Sequence, residues 1–259
     1  MNMWYNLLTV SGILIIFLAT ALGASVVFFF KGEISPKINA VFFGFASGVM
    51  VASSIWSLIL PALALLSVQY GSFAFMPVAL SILLGGLFLS VLNKTSNRLK
   101  KGTTYAQSKA KRLFWAVTLH NIPEGLAVGF AFGVASVSGA LSAYITAFAL
   151  AVGVAFQNVP EGVAVALPMR TATKNNKRAF LWGVGSGSVE PIFALLGYFL
   201  ATGLRALQPW LLAFSAGAMI FVTVDDLLPD SKMQTSQSLG AWSFLLGFLI
   251  MMALDTALG

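Results

Sequence analysis

The chain has 259 residues, of which 58% are hydrophobic and 9% charged, with a mean hydropathy of +0.90, a net charge of +7 and no cysteine. So few charges exclude a water-soluble globular domain of this length. The missing thiols exclude both a disulfide framework and a thiolate metal site. Apolar runs of about 20 residues, enough to cross a bilayer, recur along the whole chain. They predict a single all-α membrane domain over 1–259, with eight transmembrane helices and no soluble appendage.

The first run, 5–30, carries no Lys or Arg ahead of it and is longer than a signal-peptide core. It is read as a retained span, although Ala19-Thr20-Ala21 resembles a cleavage site. The second run, 38–62, holds Met50 and the pair Ser53-Ser54, which taken alone look like packing residues. The third, 74–93, leads into the longest connection, Asn93 to Arg112, polar and basic.

The fourth run, 112–135, contains His120-Asn121-Ile122-Pro123-Glu124-Gly125, and the fifth, 140–169, contains Gln157-Asn158-Val159-Pro160-Glu161-Gly162. The chain crosses the membrane between these near-copies, so they run in opposite directions, as inverted pairs around a midplane binding site do. His120 and Glu124 stand four residues apart and share a helix face. Pro123 and Pro160 each remove a backbone donor, which predicts kinked helices with a freed carbonyl. Asn121, Gln157 and Asn158 add neutral oxygens, which serve either as ligands or as interhelical hydrogen-bonding groups.

The sixth run, 179–203, places Glu190 between a glycine-rich stretch and Pro191. Glu124 lies twelve residues after Arg112 and Glu161 nine before Arg170. At 1.5 Å per residue both sit roughly 13–18 Å deep, near the middle of a ~30 Å core. Glu190 reaches a similar level. A carboxylate there costs roughly 3 kcal/mol on insertion scales, so three of them call for a cation.

The seventh run, 208–228, ends at Asp225-Asp226, either a solvated terminus or a way-station on an exit route. The eighth, 240–258, carries Asp255, a structural or an entrance charge. Glycines at four-residue spacing, Gly44/Gly48, Gly125/Gly129/Gly133 and Gly183/Gly187, suit close helix packing in lipid.

Fourteen of the fifteen Lys and Arg fall in alternate loops, with only Arg205 opposite. The positive-inside rule puts those loops in the cytoplasm and both termini outside. The charge is thus a topology signal, and no nucleic-acid partner is read from it. There is no HExxH, no Glu-x-x-His pair, no phosphate-binding loop and no nucleophile elbow, so no enzyme chemistry is indicated.

At these residues the chain resembles the ZIP family of divalent-metal permeases, in its GufA-type branch. The resemblance runs over nearly the whole sequence, through GFASGVMVASSIWSLILPAL, HNIPEG, QNVPEG, SGSVEP, AFSAGAMIFVTVDDLLPD and FLIMMALDTALG. It implies eight spans with extracytoplasmic termini and a two-metal site bridged by the glutamates of the paired PEG motifs. By position it makes Met50, His120, Asn121, Glu124, Gln157, Asn158, Glu161 and Glu190 metal-ligand candidates. Ser57 and Asp226 become members of the transport route. Zinc is the expected substrate, with iron, manganese and cadmium as further cargo and no cofactor. Transport runs toward the cytoplasm by an elevator-like slide, often in a homodimer. The chain departs from many relatives in having a lysine-rich, histidine-free loop between the third and fourth spans, and from many relatives outside this branch in having an amide, Gln157, where they have histidine. A prokaryotic inner membrane is expected. The residues alone leave two alternatives open: a cation-coupled carrier of an organic solute, and an intramembrane metalloenzyme or metal sensor without flux.

Overall fold

The computed structural model describes residues 2–32, 35–98, 104–201, 206–232 and 238–258. The charges at Lys100, Lys101 and Arg205 that entered the topology reading lie outside them. The described residues are all helical or connecting: α1 (Asn2–Ala24), α2 (Pro36–Ser53), α3 (Leu60–Tyr70), α4 (Phe75–Arg98), α5 (Tyr105–Ser138), α6 (Leu141–Thr173), α7 (Asn176–Gly187), α8 (Val189–Leu200), α9 (Gln208–Val222), α10 (Leu228–Lys232) and α11 (Leu239–Leu258). A six-residue π-helical stretch, Ser54–Ile59, joins α2 to α3, and a second, Thr223–Leu227, joins α9 to α10.

Local chemistry sets the ends of the two long central helices. Thr104 and Gln107 form a reciprocal capping box that starts α5. Gly139, at φ 64°, ends it in the left-handed conformation that glycine adopts without strain. α6 ends at Lys174, also left-handed, whose N–H bonds the Arg170 carbonyl at 2.8 Å. Both helices run through Pro123 and Pro160 as single elements.

Six helical segments are long and apolar enough to cross a membrane. Phe75–Val91 is a shorter apolar helix, and α5, though 34 residues long, is not among the six. The reason is in its sequence: His120, Asn121, Pro123 and Glu124 break its apolar run. Leu7, Val10, Leu14, Leu18 and Leu22 form one outward face of α1, and similar stripes line α4, α8 and α11. A water-soluble protein would not leave such faces bare.

The helices pair through glycines into two groups. In one, α1 packs on α6 and α5 on α8, with α7 alongside. In the other, α2 packs on α11 and α4 on α9. Each of these four interfaces carries a glycine from both partners, facing the other's backbone. They are Gly23 against Val159 and Gly162 against Thr20; Gly129 against Ala194 and Gly197 against Leu126; Gly48 against Phe244 and Gly247 against Phe45; Gly85 against Phe214 and Gly217 against Ile82. A methyl at any of them would overlap a carbonyl of the neighbour. Small residues let backbones meet where lipid provides no hydrophobic drive between helices. The seam between the groups is formed by α5 on α9 and α2 on α6. Among the described residues no glycine keys it in this way; Gly153 makes only an ordinary contact with Asp255.

Candidate metal centre

The PEG segments of α5 and α6 meet inside the bundle. His120, Glu124 and Glu161 are all buried and each offers an atom within 4.8 Å of the others. His120 Nε2 lies 3.2 Å from Glu161 Oε2, in ion-pair range but not aligned as a hydrogen bond.

The amide side chains around this cluster are oriented one way. Asn121 Nδ2 donates to the Ser186 carbonyl at 3.1 Å. Asn158 Nδ2 donates to the Ile16 carbonyl at 3.0 Å and to Glu190 Oε2 at 2.7 Å. Gln157 Nε2 donates to Glu124 Oε1, and its own oxygen accepts from Ser53 on α2. The donors are therefore tied off. Apart from Asp255 Oδ2, away from the cluster, the buried side-chain atoms without a hydrogen-bond partner among the described residues are Asn121 Oδ1, Asn158 Oδ1, Glu124 Oε2, both Glu161 oxygens and both His120 ring nitrogens. Buried polar atoms are nearly always satisfied, and an unsatisfied one costs about 1–3 kcal/mol. One atom each of His120, Glu124 and Glu161 converges within 4.8 Å, and the unpartnered oxygens of Asn121 and Asn158 stand on the same two helices, an oxygen-and-imidazole set suited to a borderline or hard dication.

Glu190 is placed differently. Its Oε2 is held by Asn158, and its Oε1 accepts from Thr20 of α1 at 3.2 Å. Gly125 lies directly against the Glu190 backbone, so the second helix of this pair approaches α5 at the level of the PEG motif. Met50 is fully buried on α2, where Thr223 Oγ1 lies 3.9 Å from its sulfur and Ser53, less than a turn on, reaches Gln157. Its helix thus abuts the site, while its sulfur packs toward the second π-helical stretch.

The route candidates lie away from the cluster, at the two π-helical stretches. Ser57 donates to Asp255 Oδ1 at 2.8 Å beside a cavity of about 270 Å³. Asp226 is buried and bonded by Arg112, whereas its neighbour Asp225 is exposed. Four contributors escaped sequence reasoning: Thr20, Ser53, Ser215, whose hydroxyl donates to the His120 carbonyl at 3.3 Å, and the Ser186 carbonyl. Single hydroxyls within apolar runs carry no distinguishing signal, because in most helices they bond their own backbone.

Apolar helices long enough to cross a bilayer, packed around a buried acidic cluster, define the class as a multi-pass helical membrane protein. The comparison with known proteins gives the family. The sequence profile of the ZIP Zinc transporter family matches residues 112–255. The chain is 33% identical to human "Zinc transporter ZIP11", covering 93% of this chain and 94% of that one. It is 35% identical to "Zinc transporter GufA" of Myxococcus xanthus, over 93% and 95%, and 36% identical to "Zinc transporter ZIPB" of Bordetella bronchiseptica, over 94% and 79%. The chain belongs to the ZIP zinc transporter family, in its GufA-like branch.

Proposed function

We propose that this protein carries divalent transition-metal ions, zinc foremost, across the membrane into the cytoplasm. The observation that carries this reading is the buried cluster of His120, Glu124 and Glu161, with the unpartnered oxygens of Asn121 and Asn158 beside it on the same helices. The relatives named as zinc transporters support zinc as the cargo. Iron(II), manganese and cadmium suit the same donor set.

The ion first meets His120, Glu124 and Glu161, whose free atoms converge. Glu124 and Glu161 then bridge to a second position completed by Asn121, Asn158 and Glu190, with Met50 joining from α2. Gln157 holds Glu124 through its amide, and its oxygen turns to the ion only when Ser53 releases it. An elevator-type slide is supported by the packing: the two helix groups are each keyed by reciprocal glycines, whereas the seam between them is not. We further read α4 and α5 as spans that complete an eight-span arrangement. The basic loops then lie in the cytoplasm of a prokaryotic inner membrane and both termini outside, and a homodimer is the expected assembly.

Uptake of zinc into proteoliposomes tests this. Wild type fills the vesicles, and Glu124→Ala and Glu161→Ala do not. Flux that survives both substitutions removes the site, and no flux in the wild type removes transport.

A further inference from the structure

The seam between the two helix groups is not sealed alike at its two ends. At one end it opens into the cavity of about 270 Å³. That cavity has Trp56, Ser57 and Asp255 on one wall and Ala127, Ala149 and Gly153 on the other, so it separates the α2–α11 group from the α5–α6 group. At the other end an ion pair crosses the seam. Arg112, in the first turns of α5, donates through Nε to Asp226 Oδ1 at 3.1 Å and Oδ2 at 3.3 Å, and through its terminal nitrogen to Oδ1. Asp226 belongs to the π-helical stretch after α9, in the opposite group, and its side chain is fully buried. Arg112 stands eight residues, about 12 Å of helix, from His120 on the same α5. The metal centre is thus flanked by an open cavity on one side and a charged crosslink on the other.

Resting on the transport reading above, we propose that Arg112 is the gating residue of the inner exit: its guanidinium holds the two helix groups in the conformation open at the cavity and occupies the carboxylate that a departing dication would otherwise reach. The physical case has three parts. A bidentate guanidinium–carboxylate pair is the strong and geometrically specific form of ion pair. Removing one partner of a buried pair leaves the other uncompensated, so the pair persists until something replaces it. A π-helical stretch is a place where a helix ladder is already interrupted, so Asp226 sits on backbone that can readjust as the groups slide. A dication arriving at Asp226 replaces the guanidinium charge for charge or better, so cargo itself opens the exit. Without cargo the exit stays shut.

The chain has no cysteine, so a single introduced thiol reports its own position. Ala149→Cys lines the cavity, and Val68→Cys, at a site 89% exposed, serves as a reference. Both are labelled with a membrane-impermeant maleimide in metal-free nanodiscs, in the parent and in Arg112→Gln and Asp226→Asn backgrounds. Asp226→Asn leaves no buried charge in need of a partner, which guards against loss of folding. Breaking the latch releases the cavity-open conformation. The rate at Ala149→Cys, normalised to Val68→Cys, therefore falls at least fivefold in both backgrounds. A smaller fall in either overturns the latch. Zinc uptake by the parent is measured separately. A parent that carries no zinc but shows the fall keeps the latch and removes transport. A parent that carries zinc with labelling unchanged does the reverse.

Discussion

Glu161→Gln separates the stability of this protein from its binding, and the two change in opposite directions. In the metal-free protein both Glu161 oxygens are buried, near His120 and Glu124, with no hydrogen-bond partner among the described residues. A carboxylate at membrane depth costs up to about 3 kcal/mol on insertion scales, and the isosteric amide, which sheds the charge but keeps its need for hydrogen bonds, recovers part of that, about 1–2 kcal/mol. For a chain of this size each kcal/mol moves the unfolding midpoint by roughly 2–4 °C. Chelator-stripped Glu161→Gln therefore melts several degrees above stripped wild type. Zinc reverses the order. A ligand at 100 times its Kd adds about 2.7 kcal/mol to the protein that binds it, which converts to roughly 5–11 °C for wild type. The substituted protein, lacking a charged ligand at the centre of the cluster, gains at most a degree or two. The assay is thermal unfolding in detergent, with and without zinc, on both proteins. A Glu161→Gln protein no more stable than wild type when stripped, and equally stabilised by zinc, refutes the claim that a binding charge is held there at a cost.

Further outcomes follow from individual contacts. Gly162→Ala sets a methyl against the Thr20 carbonyl and costs about 1–3 kcal/mol by denaturant unfolding, whereas Gly153→Ala, at the seam, stays within about 0.5 kcal/mol of wild type. Asn158→Leu removes donors from the Ile16 carbonyl and from Glu190, at a cost of about 1–3 kcal/mol, and also weakens zinc binding by titration calorimetry. Gln157→Leu leaves Glu124 without its amide partner but keeps His120 and Glu161 in place. It lowers zinc affinity about 10–100-fold, the usual effect of losing a group that orients a ligand, without abolishing binding.

Much of this site was legible in the sequence. His120 and Glu124 are one turn apart, and a 37-residue repeat carries Glu161 to the same depth from the other direction, so the triad follows from helix geometry and the positions of Arg112 and Arg170. The same residues weaken the apolar character of a span that the sequence still reveals as the run 112–135: His120, Asn121, Pro123 and Glu124 interrupt the long helix α5. What local pattern does not encode is long-range partnership. Arg112 and Asp226 are 114 residues apart, and Thr20 and Glu190 are 170 apart. Arg112 reads in sequence as a loop-edge charge, and Thr20 as part of a mock cleavage site. The glycines were half visible. Gly44/Gly48 and Gly125/Gly129/Gly133 announce packing faces, but their counterparts Gly247 and Gly197 stand isolated and gain meaning only when the helices are paired.

Anomalous diffraction at the zinc edge, from crystals of chelator-stripped protein reloaded with zinc, tests the central claim most directly. The account predicts a peak bounded by His120, Glu124 and Glu161, with nitrogen and oxygen ligands about 2.0–2.2 Å away. A peak absent from that cluster, or found only at surface carboxylates such as Asp225, contradicts it.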